Sequence, residues 1–385
     1  MANLDYKTVL RRLLFRIVNF CMAVFPVKRN RVFFLNFYGK SFSDNPKGIS
    51  EALYDQYGNQ FEYIWVVSTE NVKKMMPYYV KTCRYNSFRM VYYMATSKVW
   101  VSNFCLSKGT YKRKNQYYIQ TWHGDRGFKK ILMDVPEKHS FIYETEHVDL
   151  MIAGSDFGEK YYYRGGFKYK GDIAKIGCPR NDIFFRNTDK LRDRIREIYS
   201  IGKEEKVVMF APTFRNKYRN KKRLLTIDLE EIRKVLENST NKKWKVLTRS
   251  HVSNSKYGFS TENNDSIISV TDYPDMNELL QITDVLISDY SSSIGDFCLS
   301  GRLCVCYQDD IDDYQSTDRA LLFDMDNSPF FHFNEPSDLY SFLRNIEKID
   351  VKKNCEEIKR FYGIYEHGNA SNEAAMIIYN KCFNS

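Results

Sequence analysis

The sequence predicts an α/β protein of two doubly wound domains facing one another across a cleft, preceded by an amphipathic helix. Three observations carry that prediction. The chain has 385 residues, more than the roughly 250–300 over which a single core grows efficiently, so two domains are expected. Near-continuous apolar runs, the pattern of parallel strands covered on both faces, alternate with helix-like segments through both halves. Polar residues gather where those runs end, which is where doubly wound sheets hold their ligands.

The first element is "YKTVLRRLLFRIVNFCMAVFPVKR", residues 6–29. Leu10, Leu13, Leu14, Ile17, Val18 and Cys21 fall at helical spacing, and Lys7, Arg11, Arg12 and Arg16 supply cations. The uncharged run Ile17 to Val27 is about half of the roughly 20 residues a spanning helix needs, so the segment does not cross a bilayer. Basic flanks on both sides and the lack of a small-residue cleavage site argue against a signal peptide. Residues 1–28 are therefore expected to form an interfacial helix that ends near Pro26, the alternative being a first helix packed on its own domain.

An N-terminal domain, 29–187, follows with apolar runs at 31–38, 61–67, 78–83, 98–104, 117–122 and 148–154. A polar connecting segment with a helix, 188–204, leads to a C-terminal domain, 205–385, with runs at 206–212, 243–249, 266–270, 284–290 and 302–308. The last helices have room to pack back on the N-terminal domain. Hydrophobic residues at 43% and aromatics at 16% suffice to fill both cores. The net charge of +10 attracts anions without choosing among them. Nine scattered cysteines with no C-x-x-C suggest neither a disulfide frame nor a zinc site, and fit a reducing cytosol.

The strand ends carry the candidate chemistry. "YIQTWHGDRGFKK" sets His123 after a strand, with Gly124 to admit a ligand close to the backbone and Lys129 and Lys130 nearby. An imidazole neutral near pH 7 is suited to take a proton from an alcohol. "DVLISDYSSSIGDF" gives Asp289, then serines 291–293 at the start of a helix, where hydroxyls and free N–H groups favour phosphate. "LTRSH" sets Arg249 and His251 two residues apart, so both point to one side of the chain. Arg215 follows a strand and opens a dense basic loop, and "GCPRND" offers Arg180 on a turn.

In order along nearly the whole chain, "FYGKSFSDNPKGISEAL", "YIQTWHG", "GCPRND", "APTFR", "RSH", "SDYSSSIGDF" with a later "YQDDIDDY", and "HGNAS" resemble the motifs of the CDP-glycerol glycerophosphotransferase family of teichoic acid and capsule synthesis. Each motif is weak alone, and seven in register are strong together. The resemblance implies Rossmann-like domains in a GT-B-like pair, with the donor held mainly by the C-terminal one. It implies transfer of polyol phosphate from CDP-glycerol, or alternatively CDP-ribitol, to a hydroxyl of a lipid-linked acceptor, with release of CMP. His123 would be the general base and His251 a pyrophosphate contact stabilising the leaving CMP. Asp289, Ser291 and Ser292 would hold the donor, with Arg215, Arg249 and Arg180. Gly39, Gly124, Asp125, Arg126, Lys129 and Lys130 would form the acceptor-side loops. The expected location is the cytoplasmic face of the bacterial membrane, as a peripheral protein.

Where the family continues Trp-His-Gly with a Thr-Pro-Leu-Lys-like segment, this chain has Asp125-Arg126-Gly127-Phe128. Acceptor and polyol identity are open at that point. No acidic cluster makes a convincing metal site, so Mg²⁺ is neither required nor ruled out. A retaining sugar transferase would place two glutamates near its donor, and none lies between Glu278 and Glu335. A nucleic-acid binder would show a stripe of basic and aromatic residues, whereas the basic residues here fall at the first helix and the strand-end loops.

Overall fold

The computed structural model describes residues 6–107, 109–135, 142–213, 215, 225–250 and 264–384, which fold around two fully parallel sheets. The first contains β1 (Lys28–Leu35), β2 (Glu62–Val67), β3 (Val80–Arg84), β4 (Ser97–Ser102), β5 (Tyr117–Gln120), β6 (Leu150–Ala153) and β7 (Asp172–Lys175). The second contains β8 (Lys206–Phe210), β9 (Trp244–Thr248), β10 (Ile267–Ser269), β11 (Val285–Ser288), β12 (Leu303–Tyr307) and β13 (Phe331–Phe333). Their orders are β3-β2-β1-β4-β5-β6-β7 and β10-β9-β8-β11-β12-β13. Each sheet reverses its winding once, between β1 and β4 and between β8 and β11, and at those switch points the chains leave the sheet in opposite directions to open a crevice.

Alternation along each strand divides the side chains between two covered faces. Val32, Phe34, Trp65, Val99 and Ile119 pack with Ile49 and Leu53 of helix Asp44–Tyr57 and with Ala374, Ala375 and Ile378 of the final helix Ala370–Phe383. The chain therefore returns at its end to the first sheet. The opposite face, with Phe33, Ile64, Trp100, Tyr118 and Met151, belongs to one apolar cluster that continues through Phe128 and Tyr362 to Met209, Leu286 and Cys304 of the second sheet. Each fully buried side chain of this size contributes roughly 1.5–3 kcal/mol. The two halves thus share a core as well as a crevice.

β7 and β13 are absent from the strands read off the sequence. Both are short edge strands, and β7 has no fully buried side chain, so neither carries the long apolar run that marks an interior strand. The stretch read as a connecting segment holds helix Asp189–Ile198, with Ile195 fully buried. Near the amino end, helix Tyr6–Met22 packs against helix Phe88–Thr96, and Leu13, Leu14, Ile17 and Phe20 are each about half exposed or more. No described helix is long and apolar enough to cross a membrane.

Candidate active site

At the first switch point the strands end in amides. Asn36 follows β1 and Asn103 follows β4; Asn103 Nδ2 donates to Asn36 Oδ1 at 2.6 Å, and its own Oδ1 accepts the Phe37 N–H at 3.0 Å. This fixes the turn Phe37–Gly39, in which Phe37 (φ 42°) and Tyr38 (φ 57°) hold the left-handed conformation that side chains disfavour. Gly39 is buried, at φ 82°, and a Cβ there would press within 2.9 Å of the Val67 carbonyl carbon. The close approach that Gly39 permits is to the chain leaving β2.

His123 stands beside this turn. Its Nδ1 lies 2.8 Å from the carbonyl oxygen of Asn103. A carbonyl only accepts, so that nitrogen carries the proton and the neutral ring holds its lone pair on Nε2. The imidazole is stacked on Phe104, with centroids 5.3 Å apart and planes at 13°, and also touches Trp122 and Phe37. Phe104 leads on to Tyr38 and then Tyr85, so an array of partly exposed rings extends away from the histidine.

The second switch point is ionic. Asp289, buried after β11, accepts the Thr213 N–H through both oxygens at 2.9 and 3.0 Å and pairs with Arg215 at 2.9 Å. Arg215 also makes a two-pronged bond to Asp310, at 2.8 and 2.9 Å, and lies over the rings of Tyr290 and Tyr314. These residues come from the carboxyl ends of β8, β11 and β12. Ser291 and Ser292 are partly exposed ahead of the short helix Ser293–Phe297, and Ser293 Oγ donates to Ser291 Oγ at 2.9 Å. Arg249 donates to the carbonyls of Val270 (3.1 Å) and Tyr273 (2.8 Å), and burial lowers its pKa. His251 and the basic residues 216–223 lie outside the described residues.

The two halves meet at the glycine after the histidine. Gly124, at φ 137°, lies against Ser292 so closely that a Cβ would collide with that side chain, and Arg180 Nη2 would be 3.1 Å away. Further on, Lys130 N–H donates to Ala320 O at 2.9 Å and Leu322 N–H to Phe128 O at 2.7 Å, a short antiparallel bridge between the halves. Lys129, half-buried in that bridge, is pushed down to about 7 by burial and then by Arg319 and Arg215, against the pull of Asp289 and Asp318. Lys130 is exposed.

Asp125 and Arg126 do not form an acceptor-side loop. Both are buried: Asp125 accepts the Gly154 N–H at 2.7 Å, and Arg126 pairs with Asp296 at 2.9 Å and with Glu366. Arg180 pairs with Asp296 at 2.6 Å and Asp44 at 3.2 Å, so Asp296 bridges two arginines from the other half. Burial raises the carboxyls of Glu366 and Asp44 despite these arginines. This charged seam binds the halves together, and Arg126 and Arg180 meet four carboxylates in it, Asp44, Asp125, Asp296 and Glu366. Arg180 Nη2 also passes close to Gly124.

Sequence reasoning missed Asn36, Asn103, Phe104, Asp296 and Glu366. The signal for the asparagines was available, since both follow apolar strands as His123 does. Asp296 lay inside a matched motif and Glu366 directly before one, without a visible reason for being charged. Among the described residues no group of three or more His, Cys, Asp or Glu side chains is placed to hold a metal ion.

The family described as CDP-Glycerol:Poly(glycerophosphate) glycerophosphotransferase matches residues 17–380. A teichoic acid poly(glycerol phosphate) polymerase of Bacillus spizizenii is 29% identical over 96% of each chain. One of Staphylococcus epidermidis is 31% identical over 92% of this chain, which spans 51% of that longer protein. The solved structure of the wall teichoic acid polymerase TagF superposes with a TM-score of 0.85 at 26% identity, over 98% of each chain. The chain belongs to the CDP-glycerol:poly(glycerophosphate) glycerophosphotransferase family.

Proposed function

We propose that this enzyme transfers glycerol phosphate from CDP-glycerol to a hydroxyl of a lipid-linked acceptor during teichoic acid or capsule-like polymer synthesis. The observation that carries the mechanism is the pairing of His123 Nδ1 with the Asn103 carbonyl, which makes Nε2 the basic nitrogen of the neutral ring, on the residue next to the Gly124–Ser292 junction. The acceptor O–H gives its proton to Nε2 as its oxygen bonds to the phosphorus next to the glycerol. The pyrophosphate P–O bond breaks with its electrons passing to CMP. Alignment and charge neutralisation supply most of the catalysis in such a transfer.

The donor lies on the second half, with Ser291, Ser292 and the Arg215–Asp289 group around its phosphates and Lys129 reaching in from the first half. His251, Arg249 and Arg180 complete the expected contacts, His251 stabilising the leaving CMP. The acceptor approaches over Phe37, Tyr38 and Phe104. Helix Tyr6–Met22, with its exposed Leu13, Leu14, Ile17 and Phe20, rests on the cytoplasmic face of the membrane and keeps the crevice near its lipid-linked substrate.

CMP release from CDP-glycerol and CDP-ribitol in parallel, each with lipid-linked acceptor and a His123→Ala control, tests this reading. Release from CDP-glycerol that disappears in the variant is expected. Release from CDP-ribitol alone would reassign the polyol, and equal release by the variant would remove His123 as the base. Deleting residues 1–28 is expected to move the protein to the soluble fraction, and unchanged membrane retention would reject the first helix as the attachment.

A further inference from the structure

Behind His123 lies a carboxylate that the proposed reaction does not use. Glu144, on the short helix Ile142–Thr145, is fully buried and accepts three hydrogen bonds. Tyr118 Oη donates to Oε1 at 2.5 Å, Gln120 Nε2 to the same oxygen at 2.8 Å, and the Leu106 N–H to Oε2 at 2.8 Å. These donors come from two segments that converge on His123. Tyr118 and Gln120 belong to β5, which runs into the histidine, and Leu106 belongs to the loop that begins at Asn103.

Gln120 continues the connection. Its Oε1 accepts the Trp122 N–H at 2.9 Å, and its Nε2 also reaches the Phe104 carbonyl at 3.3 Å. Trp122 itself has φ 51°, a conformation that needs outside restraint in a residue with a side chain. The same loop that Glu144 grips at Leu106 presents the Asn103 carbonyl to Nδ1 and the Phe104 ring to the imidazole face. Two of the contacts that orient the ring are therefore tied to one side chain.

We infer that Glu144 is a positioning residue that sets the tautomer and orientation of His123 by clamping the Asn103–Leu106 loop to the end of β5. Three donors aimed at one carboxyl favour the ionised form, because a protonated carboxyl carries an O–H of its own and has one lone pair fewer to offer them. The titratable groups facing it are Tyr118, Cys105 and Tyr38, each acting as a neutral neighbour whose own ionisation is pushed up. Burial moves the Glu144 carboxyl up to about 7, with the three hydrogen bonds pulling the other way. The clamp is accordingly full above neutrality and slackens below it, independently of proton uptake by His123.

The inference rests on His123 as the base for its catalytic meaning, and its test is chosen to separate the two. Full-length protein carrying ¹⁵N-histidine is titrated by NMR, with the His123 signals assigned from their loss in His123→Gln. Wild-type protein is expected to show the Nδ1–H tautomer and an extra inflection near 7 in the His123 signals. Glu144→Gln is expected to mix the tautomers and erase that inflection. It should also lower kcat with CDP-glycerol and a lipid-linked acceptor at least tenfold, while the donor KM changes less than twofold. Gln120→Met, which cuts the link and keeps the carboxyl, is expected to shift the tautomer in the same sense, and it decides the matter if Glu144→Gln fails to fold. Unchanged His123 signals in the folded variants, or equal loss of kcat and donor binding, would overturn the inference. Full activity in His123→Gln would instead sink the base assignment and leave the NMR comparison to judge the clamp.

Discussion

The two switch points share one topology and opposite chemistry. Between β1 and β4 the strands end in Asn36 and Asn103, neutral amides that hold a turn and a backbone carbonyl in place. Between β8 and β11 they end around Asp289, Arg215 and Asp310, a buried ionic group closed over by two tyrosines. The difference matches the two halves of a phosphoryl transfer. An uncharged alcohol needs a well-aimed proton acceptor, whereas a pyrophosphate needs cations held rigidly where charge will gather.

The sharpest way to break this comparison is at the neutral side. His123→Ala should lower kcat by about a thousandfold, within the range usual for a lost general base, with CDP-glycerol binding by calorimetry unchanged. A parallel loss of donor binding would mean that the neutral half also holds the donor. On the ionic side, Arg215→Met leaves Asp289 and Asp310 facing one another without their shared cation. Stranding buried charge costs about 3–5 kcal/mol, so a lowered melting temperature and lost donor binding are expected together. Normal melting would show that the arginine serves the ligand alone.

Asn103→Ala tests the amide frame with a smaller effect. It strands Asn36 Oδ1 and the Phe37 N–H, and a buried unsatisfied group costs about 1–3 kcal/mol. The carbonyl that orients His123 would remain, less well held, so a tenfold fall in kcat with the donor KM unchanged is expected. If kcat is untouched, the strained Phe37–Gly39 turn is held by its other contacts.

Much of this was legible in the sequence, and the limit has a physical form. Long apolar runs announced the interior strands, while β7 and β13 at the edges bury too little to leave such a pattern. His123, Asp289 and Arg215 could be singled out as candidates because polar residues at strand ends stand out against apolar neighbours. Asp296 and Glu366 could not be assigned, because their partners Arg126 and Arg180 are 116 to 240 residues away in sequence. The spacing within a motif says nothing of pairs made across an interface. The same blindness put Asp125 and Arg126 in the crevice, when both are buried in the seam between the halves.

Lys129 joins the two chemistries, and its pH dependence gives the finest test. It belongs to the neutral half by chain and to the ionic half by neighbours, with burial and then Arg319 and Arg215 holding it near 7 instead of the ordinary lysine range. A pyrophosphate favours the protonated amine, so the bound pKa is higher than the free one. Donor affinity is then complete below about 7 and declines as pH rises from there to the bound value. Calorimetry in the His123→Ala background removes turnover, and the window above 7 lies beyond ordinary histidine titration. A few-fold weakening between pH 7 and 9 is expected, flattened in Lys129→Met, which binds weakly throughout, and abolished in Lys129→Arg, whose charge persists. Affinity that is flat with pH in the unaltered lysine would place the amine away from the phosphates and leave the ionic half to bind the donor unaided.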